Sequence, residues 1–355
     1  MSSSLRIAFY SLVGLSAILA LWPILEIIVY FQGNFTYLLL YSLAVGALAG
    51  LFLGGAFGSC EGLIQHTKRK LFKGLISGLI IGSLGGAVGI LAGQAVSLFI
   101  GTNLSSTTQS LSDMAFPLAK ALGWALFGVF IGSAEGLRSR SLAKIRNGII
   151  GGVAGGFLGG FAFESAIHFQ AFSLALAILV TALLCLIAMA FLIQGIRLGL
   201  TRAVIISLIL IALAAIIILS LFIFPSQTPI QLAFARLYGL LILAILIGIF
   251  YGLVEKRLSK AMLIALNGPA KGKEILITQK LTSIGSAEEA TVTISGYTEL
   301  EDEHAIIRQK KGELVLENRS KTKGTYLNDE RITETVINDG DVIRIGEVQF
   351  LCKKK

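Results

Sequence analysis

The chain has 355 residues, 55% hydrophobic and only 14% charged, with a net charge of +9. Soluble domains carry about 25% charged residues, so most of this length is not an ordinary soluble protein. Up to Lys260 there are 16 Lys/Arg against 6 Asp/Glu, and from Ala261 onward 14 against 15; the basic excess belongs to the apolar part, where the positive-inside bias of membrane proteins accounts for it better than nucleic acid binding does.

Eight apolar segments, 5–31, 37–60, 72–100, 115–133, 148–167, 172–193, 203–224 and 232–254, each approach the roughly 20 residues that a helix needs to cross a bilayer core. The first is longer than the apolar stretch of a signal peptide and contains Glu26, so it reads as a retained span. One set of connections holds Lys68, Arg69, Lys70 and Lys73, then Arg138, Arg140, Lys144 and Arg146, then Arg197 and Arg202. The alternate set, 32–36, 101–114, 168–170 and 225–231, holds no Lys or Arg. This asymmetry places both termini in the cytoplasm of a multi-pass protein of the cell membrane. Lys120 and Arg236 fall one turn inside the outer ends of their helices, positions from which to snorkel or line a polar path. Glu26 and Glu164 lie towards outer ends with no partner visible in the sequence.

Shifted by 74 residues, 47–86 lies on 121–160 with sixteen identities in forty, eight of them glycine. Each copy reads as a helix, a basic turn and a returning helix, a parallel internal repeat. Gly54-x3-Gly58-x2-Glu61 recurs as Gly128-x3-Gly132-x2-Glu135 and as Gly248-x3-Gly252-x2-Glu255, a flat helical face ending in a carboxylate. The glutamates have two readings: interfacial ion pairs beside the neighbouring Lys and Arg, or a cation or proton site. The returning helices carry glycine ladders, Gly74, Gly78, Gly82 and Gly86 in one and Gly148, Gly152, Gly156 and Gly160 in the other. Such steps suit close packing inside one bundle, or else a closely packed multi-subunit assembly such as a homo-oligomer, or a pore wall.

Cys60, Cys185 and Cys352 form no zinc or disulfide spacing and read as free buried thiols. His66, His168 and His304 are dispersed, so no metal is expected. No Walker A loop, dinucleotide fingerprint or nucleophile elbow is present, and neither enzyme activity nor a cofactor is expected.

The tail reads as short strands at 262–266, 274–278, 291–295, 305–309, 313–317, 342–345 and 348–352, with turns at Asn267-Gly268-Pro269, Lys311-Gly312 and Asp339-Gly340. It also carries Leu281-x-x-Ile284-Gly285, His304-Ala305-Ile306-Ile307, Gly324-Thr325-Tyr326-Leu327-Asn328 and Asn338-Asp339-Gly340-Asp341 leading to Gly346. In that order these resemble a forkhead-associated (FHA) domain. The resemblance implies a β-sandwich whose loops read phosphothreonine, with Gly285, His304, Gly324, Thr325 and Gly346 as structural residues. It implies partner-binding loops at Ser286, Glu301, Arg319, Lys321, Thr322, Lys323 and Asn328. Where the family usually has Arg, Ser and Asn, this chain has Ser286, Glu301 and Lys323. A carboxylate at Glu301 repels a dianionic phosphate, so the phosphothreonine site reads as degenerate, with Arg319, Lys321, Thr322 and Lys323 as a substitute set. The apolar part resembles glycine-rich segments beside FHA domains in prokaryotic membrane proteins.

The expected architecture is thus a polytopic α-helical membrane bundle of about eight helices (1–257), a short linker (258–261) and an all-β sandwich (262–353). The expected function is a non-enzymatic membrane adaptor or scaffold that recruits a cytoplasmic protein through the sandwich. The alternative is a channel or transporter with the repeated helices as its path and the sandwich as its regulator.

Overall fold

The computed structural model describes residues 3–104, 109–198, 201–223, 228–310 and 312–354. Positions 105–108 of the 101–114 connection, Phe224 at the end of the seventh segment, 225–227 of the next connection and Lys311 of its turn lie outside the described residues.

Eight long helices come first: α1 Ser3–Tyr30, α2 Leu38–Gln65, α3 Lys68–Leu104, α4 Gln109–Arg138, α5 Leu142–His168, α6 Gln170–Leu198, α7 Thr201–Ile223 and α8 Pro229–Leu258. All eight are long and apolar enough to cross a membrane. Local chemistry fixes several ends. His66 closes α2 in the left-handed conformation, with φ 55°, and the Ser141 hydroxyl accepts the Lys144 amide at the start of α5. Thr228 caps α8 in the same way, with Pro229 in its first turn, where proline's missing N–H leaves no bond unmade.

Glycine decides how the helices pair. The ladder of α3 lies against α2: a Cβ on Gly50, Gly54 or Gly58 would strike the carbonyl of Gly82, Gly78 or Gly74. In α4 and α5, Gly128 meets the carbonyl of Gly152, and Gly132 that of Gly148. Both glycine faces therefore pack inside the chain, backbone on backbone, which only a side chain of hydrogen allows. The other face of α3 carries Phe72, Ile76, Ile80 and Leu84, each more than half exposed at a four-residue step that keeps them on one side. In the middle of α8, Leu240, Leu241, Ile242 and Leu243 are all buried. A helix apolar all round belongs inside, and α1, α5, α6 and α7 pack against it.

Ser259 and Lys260 separate α8 from eleven strands: β1 Ala261–Ala265, β2 Glu274–Ile277, β3 Leu281–Gly285, β4 Val292–Thr293, β5 Ala305–Lys310, β6 Glu313–Asn318, β7 Thr325–Leu327, β8 Glu330–Ile332, β9 Glu334–Ile337, β10 Val342–Ile345 and β11 Val348–Lys354. One sheet runs β2-β1-β11-β10-β7-β8 and the other β4-β3-β5-β6-β9. Leu263, Ile284, Leu316, Ile343 and Phe350 are fully buried in the core that the sheets share. Six of the expected strands appear with ends shifted by up to two residues, and the seventh, 291–295, shrinks to Val292–Thr293. Four strands were not anticipated. β3 passes through Thr282 and Ser283 and ends in glycine, and β7 to β9 have only three or four residues, too few to display alternation. Asn328 and Asp329, with φ of 49° and 67°, turn β7 into β8, a two-residue hairpin that demands positive φ at both positions.

One expectation about the thiols is corrected. Cys60 and Cys352 are buried, but Cys185 is exposed on α6. An apolar helix has an outward face as well as an inward one, and residue type alone does not say which face a cysteine occupies.

Candidate functional site

The loops between β3 and β7 converge on His304, which is fully buried. Its Nδ1 accepts the Glu301 amide at 3.3 Å, and its Nε2 lies 3.4 Å from the Gly324 carbonyl, so Nε2 carries the proton. The His304 carbonyl accepts the amides of Arg319 and Ser320. One residue thereby ties three loops, and burial holds its imidazole pKa below the usual value. Gly346, with φ 59°, leaves no room for a side chain, since a Cβ there would lie 2.7 Å from the Glu299 carbonyl.

Against this frame the Glu301 carboxylate collects four donors. Its Oε1 accepts Ser320 Oγ at 2.7 Å, Thr322 Oγ1 at 2.6 Å and the Thr322 amide at 3.1 Å, and Oε2 accepts the Lys321 amide at 3.2 Å. Hydrogen bonds to the charged form, those from Thr322 and Ser320 first, hold its carboxyl far below the usual carboxylate range. Successive amides and hydroxyls of this kind form an anion-binding concavity, and here the chain's own carboxylate fills it. Ser286 stands beside it, its amide on the Glu301 carbonyl and its hydroxyl on Asp302 Oδ1 at 3.2 Å.

The remaining predicted loop residues go elsewhere. Lys323 Nζ pairs with Glu299 at 2.8 Å, which raises its pKa, and Arg319 pairs with Glu317 at 2.9 Å. Asn328 bonds Asp341 and the Val342 amide, pinning its hairpin to β10. Thr325 is fully buried and donates to Asn318 Oδ1. Sequence reasoning missed Ser320, Asp302 and Glu299; their only signal was membership of the polar runs around Glu301 and Lys321.

A second cluster lies where the helices meet the sandwich. Arg6 reaches Glu255 at 2.9 Å and Glu61 at 3.8 Å, and Lys144 reaches Glu61 at 3.5 Å and Glu135 at 3.4 Å. Arg138 grips Glu135 with two bonds of 2.6 and 2.8 Å, and Tyr10 donates to Glu255 at 2.8 Å. The three glutamates of the recurring motif thus converge on shared cations, the ion-pair arrangement rather than an open cation site. The sandwich docks beside them. Lys70 Nζ donates to the Ala290 carbonyl at 2.5 Å and to Thr293 Oγ1 at 3.0 Å, and Gln65 Nε2 to the Thr291 carbonyl at 3.1 Å. Arg69 pairs with Glu289, and the Ser3 amide donates to Glu274 at 2.7 Å. Far from the sandwich, Glu26 and Glu164 do have partners: Arg236 for the first, and Lys120 with Trp124 Nε1 for the second. No group of three or more metal-ligating side chains occurs among the described residues.

Residues 282–346 match the FHA domain family. The tail is similar to the glycogen accumulation regulator GarA of Mycolicibacterium smegmatis, 29% identical over 91 residues, 26% of this chain and 57% of that protein. It is also similar to the oxoglutarate dehydrogenase inhibitor of Corynebacterium glutamicum, 30% identical over 26% of this chain and 63% of that one. The match therefore spans less than two thirds of either relative. Among solved structures it aligns with an FHA domain from a structural and functional analysis of phosphothreonine-dependent FHA domain interactions, with 24% identity, a TM-score of 0.25, and coverage of 27% of this chain and 98% of that chain. It aligns likewise with the N-terminal FHA domain of Saccharomyces cerevisiae Rad53p in complex with a phosphothreonine peptide, with 17% identity, a TM-score of 0.25, and 27% and 94% coverage. Residues 282–346 of this chain are an FHA domain, set at the C-terminal end of eight long apolar helices.

Proposed function

We propose that this chain is a multi-pass membrane protein without catalysis of its own, which presents its FHA domain to a cytoplasmic protein partner through a surface that does not require phosphate. The observation that carries the last clause is the Glu301 carboxylate, seated among Ser320, Lys321 and Thr322. A phosphothreonine would have to displace an anion that the chain itself supplies. The relatives' names, a regulator and an inhibitor, support a role in binding a partner rather than in chemistry.

The membrane placement is supported by the apolar outward faces, such as Phe72, Ile76, Ile80 and Leu84, which exceed what a soluble surface exposes. It is supported too by the basic residues Lys68 to Lys73 and Arg138 to Arg146 at the FHA end of the helices. The matching glycine contacts of α2 with α3 and of α4 with α5 support reading these helix pairs as two copies of one unit. The channel alternative is not favoured, because the glutamates that a cation path would use are engaged by Arg6, Arg138 and Lys144.

Calorimetry of the intact protein in detergent against a degenerate phosphothreonine peptide library tests the closed site. The wild type is expected to give no binding isotherm. Glu301→Ser, which removes the resident carboxylate, is expected to gain at least about tenfold in affinity. Tight wild-type binding, or no gain in the variant, overturns the reading.

A further inference from the structure

At the end of the helices remote from the FHA domain, a cavity of about 190 Å³ opens between α1, α2, α3, α4, α5 and α8. That is smaller than a site for a whole drug-sized molecule, about 300–1,000 Å³, and leaves room for a headgroup and the first carbons of a chain. Val45, Ala49, Ile90, Phe163 and Leu240 give it apolar walls, and Tyr41, Ser42, Gln94, Lys120, Glu164 and Arg236 are its polar lining. Ionisable residues at such depth in apolar helices mark functional sites, and neither the FHA domain nor the partner-binding reading uses these.

The polar lining is unbalanced in its hydrogen bonding. Glu164 is nearly buried and accepts from both Lys120 and Trp124. Arg236 engages Glu26 through Nε and Nη2. Each carboxylate is thus already engaged by a cation, while the cations keep N–H groups to spare. Lys120 has three ammonium protons, of which Glu164 takes one, and more than a third of its side chain is exposed. The Arg236 Nη1 group and the Tyr41 hydroxyl have no hydrogen-bond partner among the described residues. Lys120 also lines a neighbouring cavity with Ser97 and His168, so the two spaces share it. Surplus donors at one side of an apolar chamber select a molecule with acceptors at one end and hydrocarbon at the other.

We propose that this cavity binds an amphiphile with an anionic headgroup, a phosphate ester or carboxylate held by Lys120, Arg236 and Tyr41, with its apolar body against Val45, Ile90 and Phe163. The proposal rests on the membrane placement above, and the test separates the two. Trp22→Phe leaves Trp124, at the cavity wall, as the sole tryptophan. This protein is reconstituted in lipid nanodiscs and Trp124 fluorescence is followed. Failure to enter nanodiscs overturns the membrane placement, and the inference with it. Once the protein is incorporated, brominated phosphatidylglycerol is expected to quench Trp124 at a mole fraction about tenfold lower than brominated phosphatidylcholine. Brominated fatty acid added to phosphatidylcholine discs distinguishes a soluble source from a lipid one, and saturable quenching by either anion supports the site. Val45→Phe, which fills the cavity and leaves every charge in place, is expected to abolish the preference. So is Lys120→Gln combined with Glu164→Gln, which preserves neutrality. Equal quenching by the two lipids, protection by inorganic phosphate alone, or an unchanged preference in Val45→Phe overturns the proposal.

Discussion

Three residues before His304, a carboxylate meets four donors, two hydroxyls and two backbone amides. Its folded pKa is depressed by those bonds, so its stabilising contribution is complete above the unfolded value near ~4.3 and fades as pH falls towards the lower folded value. The His304 pKa is also depressed, by burial. The buried imidazole must stay neutral, so its contribution is complete above the unfolded value near ~6.5 and is lost as pH falls below it. The FHA domain should therefore weaken in two stages on acidification. Thermal unfolding followed by the sheet signal in circular dichroism between pH 7 and pH 3 is the measurement. Glu301→Gln should shrink the lower stage, to which Glu299 and Glu334, lowered by Lys323 and Lys310, also contribute, and His304→Gln should remove the upper stage; a single stage untouched by either change would contradict this account.

Among the elements, the helix pairs α2 with α3 and α4 with α5 bring glycine against backbone carbonyls at successive turns. A Cβ on Gly82 would enter the Gly50 carbonyl, and one on Gly156 would meet the Trp124 carbonyl. Gly82→Leu and Gly156→Leu should each destabilise the protein by about 1–3 kcal/mol through overpacking, read as a lowered thermal midpoint in detergent. Gly33 has nothing within 4 Å of its Cβ position, so Gly33→Ala should stay within about 0.5 kcal/mol. Comparable losses at all three positions would mean that glycine is needed for something other than close approach.

For the whole molecule, the ion cluster and the docked sandwich act together. Lys144 serves Glu61 and Glu135 at once and is largely buried. Lys144→Met leaves Glu61 to Arg6 and Glu135 to Arg138 without the cation they share and should cost about 1.5–3 kcal/mol, with part of the loss recovered in Lys144→Met/Glu61→Gln. A double variant no better than the single would show that the pair is not coupled. Lys70→Ala with Gln65→Ala should speed amide hydrogen exchange in the 287–293 segment, which those two side chains hold, and leave β10 unchanged. The proposed topology predicts that Gly33→Cys labels with an impermeant thiol reagent in intact cells and Ser139→Cys does not, against the Cys-free background; the opposite pattern would invert it.

The number and order of the helices were legible in the sequence, because each carries a local run of about 20 apolar residues; their ends were not, α4 running Gln109–Arg138 where 115–133 was expected. Legible too were the strands with strong alternation and the FHA motifs, whose residue types and order can be read along the chain although they act at long range, Gly346 on Glu299 and His304 on Gly324. The partners of charges were not legible. Glu26 finds Arg236 across 210 positions, and Arg6 finds Glu255 across 249, distances over which only packing decides who meets. The same holds for Glu301. Its charge led to the expectation of a repulsive neighbour in a degenerate phosphothreonine site, with Lys321, Thr322 and the pair Lys323 and Arg319 as a substitute set. The tertiary structure turned those two towards Glu299 and Glu317 and placed Glu301 in the concavity itself. Hydrogen-bond geometry between loops depends on how the two sheets stack, and no local pattern encodes that.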